Sequence, residues 1–98
     1  MTRDLRLERT RFRISPHVRA SISGDGLVLL DVHGGYVLAS NAIGARIWQS
    51  IEGDADCASI ADRLAADFGI PIDRAEHDVV AFITALKMRG LVDEEPAC

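Results

Sequence analysis

The chain has 98 residues with a formal net charge of −4, 48% apolar and 27% charged. A chain of this length fits one domain, burying about 60 to 70 per cent of its unfolded surface in a thin core that leaves little room for an elaborate catalytic cleft. No run approaches the roughly 18 apolar residues of a bilayer span, the basic N-terminus lacks the apolar stretch of a secretory signal, and Cys57 and Cys98 have neither zinc-site spacing nor disulfide-scaffold density, so the expectation is a cytoplasmic protein with no membrane partner.

Arg3, Arg6, Arg9, Arg11, Arg13 and Arg19 crowd the start, while carboxylates dominate the remainder of the chain. Residues 1–16 read as a basic arm ending at Pro16, with the ordered domain over 17–92 and an acidic tail over 93–98. Asp4 and Glu8 interrupt the arm and no aromatic platform accompanies it, so it reads as solvated or partner-facing rather than as a phosphate-binding surface, and no nucleic acid partner is expected.

From Val18 to Ser23 the residues alternate as a strand, Gly24-Asp25-Gly26 supplies a turn, and Leu27 to Val32 is a second strand rich in branched residues. His33-Gly34-Gly35 turns the chain again, both glycines tolerating positive φ, and Tyr36 to Ala39 forms a third strand antiparallel to the second. The third strand is then a sheet edge, whose unpaired donors and acceptors are either blunted or used; capture of an extended peptide is one use and pairing with a second copy another, giving a monomer or weak homodimer.

Asn41 fits a helix N-cap. The helix beginning there puts Ile43, Ile47 and Ile51 on one face with Trp48 beside them as a core anchor, and Gly44 is expected to admit a neighbouring backbone at close range. Glu52-Gly53-Asp54 ends it. Asp56 caps a second helix whose Cys57, Ile60, Ala61, Leu64, Ala65 and Phe68 form a stripe that stops at Gly69. Asp73-Arg74-Ala75-Glu76 reads as a capping-box variant opening a third helix that reaches Arg89 before Gly90. Its apolar width exceeds one contact: Val79, Ile83 and Leu86 form a stripe, Val80 extends one flank, and Phe82 with Ala85 extends the other, leaving a flank available to a ligand. Leu91-Val92 packs back onto the fold. The fold class is therefore α+β, an N-terminal three-stranded antiparallel sheet followed by three helices.

Catalytic signatures are missing from this pattern. His17, His33 and His77 are scattered, the glycine turns do not match phosphate-binding loops, and no metal or cofactor is expected. A Cys57–His77 nucleophile and base pair competes with the simpler reading of Cys57 as a small buried hydrophobe, and His33 reads as an exposed turn residue rather than a ligand. The order of elements also fits a winged-helix DNA-binding module, but the second and third helices carry both signs of charge where a cationic recognition helix is needed.

Val28-Leu29-Leu30-Asp31, Gly35, Asn41 followed by Gly44-Ala45-Arg46-Ile47-Trp48, Ile60 with Leu64, Asp78-Val79, Phe82-Ile83, Leu86 and Gly90-Leu91-Val92 stand in an order and spacing that resembles the PqqD family, also called RiPP recognition elements. The resemblance spans His17 to Val92, with Val37 standing where an aromatic is common and Ser40 where leucine is common. It implies a winged-helix-like fold and a non-catalytic chaperone that takes the leader of a ribosomally made precursor as a strand antiparallel to the third strand, its side chains entering a groove beside the third helix. Tyr36, Val37, Leu38 and Ala39 on the strand and Asp78, Phe82, Ala85 and Arg89 on the helix are the expected peptide-binding residues, with Asp78 and Arg89 pairing leader charges. The modifying enzymes implied are a leader peptidase and cyclase of lasso peptide maturation, or alternatively a radical SAM enzyme in quinone cofactor assembly.

Overall fold

Alternation in the central strand organises the whole chain, and the computed structural model, which describes residues 10–23 and 26–95, carries it through. The elements are β1 (Arg11–Ile14), β2 (Val18–Ser23), β3 (Gly26–Asp31), β4 (Tyr36–Ser40), α1 (Ala42–Glu52), α2 (Cys57–Phe68), α3 (Ile72–Met88) and β5 (Val92–Glu95). Strands β2, β3 and β4 form an antiparallel meander in that order, with Leu29 facing Ala20 and Leu38, and Leu30 facing Arg19 and Val37. Because successive side chains of a strand point to opposite faces, Leu27 and Leu29 are 1% and 0% exposed whereas Val28 and Leu30 are 45% and 39% exposed.

The buried face carries the helices. Ile47, Trp48 and Ile51 of α1 join Ile60 and Leu64 of α2, and Val79, Ile83 and Leu86 of α3, in one core with Leu27 and Leu29. Trp48 is the core anchor expected from the helical stripe, and its indole N–H makes no hydrogen bond among the described residues. Asn41 caps α1 by accepting the Gly44 N–H at 3.1 Å, and Asp56 caps α2 by accepting the Ser59 N–H at 2.9 Å. Gly69 closes α2 with φ of 63°, a left-handed conformation that a side chain would strain.

Three expectations change. The capping box at Asp73 is not formed: α3 begins at Ile72 directly after Pro71, whose φ of −60° already suits a helix start, and Asp73 lies in the first turn, where its charge complements the helix dipole. Only Gly35 of the β3–β4 turn has positive φ; the turn is held instead by Asp31, whose Oδ1 accepts the N–H groups of His33 and Gly34 at 2.9 and 3.1 Å. The third difference concerns the ends of the chain. Arg11–Ile14 lies before the expected start at residue 17, and it pairs antiparallel with Val92–Glu95, most of which falls in the expected tail.

That ribbon sets Arg11 opposite Glu95 and Arg13 opposite Asp93, so basic start and acidic end face each other across one ladder, while Phe12 enters the core at 6% exposure. A four-residue strand with one buried side chain has too short a period to announce itself, and its partner is at the other end of the chain. The rest of the basic arm (1–9), the turn residues 24–25 and the tail residues 96–98 lie outside the described residues.

Two variants probe this architecture. Phe12→Ala should lower unfolding free energy by about 3 kcal/mol in urea titration, as for a core aromatic, rather than leave it unchanged as for an arm residue. Asp56→Ala should cost about 1 kcal/mol at neutral pH. The N–H donated by Ser59 holds the Asp56 carboxyl below its ordinary value, against a smaller opposing effect of burial. A carboxyl depressed in the folded state contributes above its unfolded pKa and loses that contribution as pH falls through the folded one. The difference between wild type and Asp56→Ala should therefore be full above about pH 4 and shrink below it.

Candidate functional site

The meander has two edges, and β4 is the one beside the helices. Among the described residues β4 pairs only with β3, so its other side presents unpaired N–H and C=O groups along Tyr36–Ser40. Its side chains alternate between half-buried and exposed: Tyr36, Leu38 and Ser40 face the helical layer, while Val37 and Ala39 face away. Val37, at 57% exposure, shares the outer face with Leu30. Period-two alternation turns the Val37 side chain to the opposite face, so of the expected strand residues Val37 and Ala39 can meet a ligand on the inner side only through their backbone.

Next to this edge lies a groove of about 430 Å³ between α1 and α3. Ile43 and Ile47 of α1 and Ala81, Phe82 and Ala85 of α3 supply apolar lining. Ser40, Asn41, Arg74, His77 and Asp78 supply the polar part. Of the expected helical residues, Asp78, Phe82 and Ala85 line the groove, so the spare apolar flank faces it. The opposite flank does not: Val80 lines a small separate cleft with Phe12 and Cys57. Cys57 and His77 therefore line different clefts, and the structure does not bring them together as a nucleophile and base.

Gly44 does admit close neighbours, but they are the side chains of Ser40 and Phe82 and not the backbone expected. A Cβ on Gly44 would stand 2.1 Å from Ser40 Oγ and 3.1 Å from Phe82 Cε1. The missing side chain thus lets the last residue of the edge strand and the aromatic of α3 meet over α1.

The ends of the site differ. At the Tyr36 end the Arg89 guanidinium lies 4.4 Å from the Tyr36 ring centroid, a cation–π contact that ties the end of α3 to the start of β4 and leaves Arg89 already engaged. At the Ser40 end Arg74 Nε lies 3.8 Å from Asp78 Oδ2, a loose pair with Arg74 well exposed. Beyond the Tyr36 end, His33 stacks on His17 with ring centroids 4.8 Å apart, and His17 Nε2 lies 3.7 Å from Asp31 Oδ1. The Asp31 carboxyl is held below its ordinary value mainly by the Gly34 N–H. No group of three His, Cys, Asp or Glu suited to a metal stands together among the described residues, and none of their helices is long and apolar enough to cross a membrane.

Sequence reasoning missed Ser40, Asn41, Ile43, Gly44, Ile47, Arg74, His77 and Ala81 as site residues. In the sequence Asn41 reads as a helix cap, Gly44 as a point of close backbone approach and Arg74 as part of a capping box; only the angle between α1 and α3 makes them neighbours.

Comparison with known proteins bears on this arrangement. The family model described as coenzyme PQQ synthesis protein D (PqqD) matches residues 26–92. Two solved structures are similar over nearly their whole length. TbiB1 in complex with the TbiA(beta) leader peptide superimposes with a TM-score of 0.78 at 27% identity, over 87% of this chain and 99% of that one. Lasso peptide synthetase B1 complexed with the leader peptide superimposes with a TM-score of 0.76 at 29% identity, over 85% of this chain and 98% of that one. No curated protein matches the sequence.

A double-mutant cycle tests the closed end. Arg89→Ala and Tyr36→Leu, singly and together, should return a coupling of about 0.5 to 1 kcal/mol in urea unfolding, the size of an exposed cation–π contact; a coupling near zero would mean that this end is not tied.

Proposed function

The chain belongs to the PqqD family, and from that premise we propose that it is a non-catalytic peptide chaperone that binds the leader segment of a ribosomally made precursor by strand addition and delivers it to modifying enzymes. The observation that carries this reading is the conjunction of a strand edge left unpaired among the described residues with a groove alongside it. An extended peptide joining β4 satisfies its own backbone on that edge and sends alternate side chains into the groove, so general attraction and selectivity come from separate groups. Both similar structures are complexes with leader peptides, which supports the same use of this site.

The leader runs antiparallel to β4 in this proposal, entering at the Ser40 end and leaving past Tyr36. Tyr36, Val37, Leu38 and Ala39 contribute backbone, and Phe82 and Ala85 contribute apolar contact. Asp78 is the charged group open to a leader cation; Arg89 acts by holding the Tyr36 end in place. The enzymes served are a leader peptidase and a cyclase of lasso peptide maturation. The mixed charges of α2 and α3 offer DNA no cationic helix, and no observation favours a radical SAM partner over these enzymes.

Magnitudes fit reversible delivery. Three to five backbone hydrogen bonds contribute about 0.5 to 1.5 kcal/mol each, and two or three buried apolar side chains about 1.5 to 3 kcal/mol each. Against them stand about 2 to 5 kcal/mol for ordering the leader and several more for association. At the favourable end of these ranges the balance reaches about 8 to 10 kcal/mol, a dissociation constant between about 1 μM and tens of nanomolar.

The test is titration calorimetry with the leader of the precursor encoded beside this chain's gene, with a scrambled leader as control. Selective binding in that range is expected. Leaders N-methylated at single residues should lose affinity at alternate positions, because only every second N–H of an added strand meets β4; binding that ignores N-methylation throughout would exclude strand addition. Phe82→Ala should weaken the leader about tenfold while the folded state is confirmed separately by circular dichroism.

A further inference from the structure

We infer that Ser40 sets the side-chain preference of this groove: the position of a captured strand opposite Ser40 takes a hydrogen-bonding side chain, and the position two residues further on, opposite Leu38, takes an apolar one. The inference rests on strand addition at β4 and adds to it the class of peptide the site selects.

Strand parity fixes which positions of a guest look inward. Directly opposed residues of neighbouring strands share a face, and on β4 the inward row is Tyr36, Leu38 and Ser40. A strand added to the edge of β4 therefore presents one side chain beside Ser40 and the next one on the same inner face beside Leu38, with the residue between them turned to the outer face.

Packing fixes how Ser40 is seated. Its side chain fills the space over α1 left by Gly44, where a methyl would come within 2.1 Å of Ser40 Oγ and 2.7 Å of Ser40 Cβ. Phe82 closes the other side of that space. The hydroxyl is thus held in the groove wall, and it makes no hydrogen bond to any other described residue. An apolar side chain laid over it would strip its water and return nothing, whereas a hydroxyl or amide side chain would replace that water. Leaving a half-buried polar group unmatched costs more than the matched bond contributes, which makes such a site discriminate by rejection.

The surroundings of the two positions sharpen the contrast. Asn41 borders Ser40, and its Oδ1 is occupied by the Gly44 N–H. Asp78 and His77 add further polar groups to the same groove. Leu38, by contrast, packs against the hydrophobic core and carries no polar atom beyond its backbone. With the strand antiparallel to β4, the selected pattern reads hydrogen-bonding residue, any residue, apolar residue, from N- to C-terminus.

A positional-scanning library of synthetic 12-residue peptides, read by fluorescence polarisation against the full chain, tests this. Wild type should prefer Ser, Thr, Asn or Gln over Val and Leu at one position by about tenfold, with the reverse preference two residues later. Ser40→Ala keeps the Cβ in its seat and should erase the first preference while leaving the second and the thermal midpoint unchanged. Gly44→Ala should also erode the first preference by displacing the hydroxyl, and the Gly44→Ala, Ser40→Gly double variant should recover the thermal midpoint but not the preference. Library binding with no polar preference, or with one that survives Ser40→Ala, overturns this inference and leaves strand capture standing. Absence of binding by any pool, together with no binding of the cognate leader, overturns both.

Discussion

Burial of Leu27 and Leu29 under α1 is the constraint on which the rest of the architecture depends. Once β3 commits that face to Ile47, Trp48 and Ile51, its hydrogen-bonding sides must be covered by β2 and β4, and among the described residues no further strand covers β4. The helices then have one sheet face to pack on, and α3 lies alongside the free edge instead of across it. A site made of backbone on one side and helical side chains on the other is thus a consequence of how a thin core closes.

The groove's polarity arises from where elements end. β4 stops at Ser40 and Asn41 caps α1, so polar residues gather where strand passes into helix. At the other end α3 runs out beside the start of β4, and Arg89 closes over Tyr36. One end is tied by a contact between two large side chains; the other is lined by groups that retain hydrogen-bonding capacity. In the proposed mode of capture an extended guest meets a chemically graded surface, which would give it a preferred register even where its backbone contacts are uniform.

The opposed charges of the termini have a structural role within the chain. Arg11 and Arg13 stand opposite Glu95 and Asp93 in the β1–β5 ladder, and Lys87 of α3 pairs with Glu94. The ribbon anchors Phe12 in the core and ties the far end of α3 to β5 and through it to β1, steadying the helix whose flank lines the groove. Individually such exposed pairs contribute little, about 0 to 1 kcal/mol each; their effect is to specify which short segments find each other.

Elements whose residues interact locally were legible from the chain alone: the meander from its period-two pattern, α1 and α2 from their caps at Asn41 and Asp56, and the apolar flank of α3 from Phe82 and Ala85. These rest on forces acting within a few residues, which periodicity and capping chemistry report directly. What the folded structure decided depends on residues distant in sequence: the pairing of β1 with β5, the removal of Val37 from the groove to the outer face, and the meeting of Ser40, Gly44 and Phe82 over α1. Each is settled by how elements cross and by what space one side chain leaves for another, and packing of that kind leaves no period in a sequence to be read.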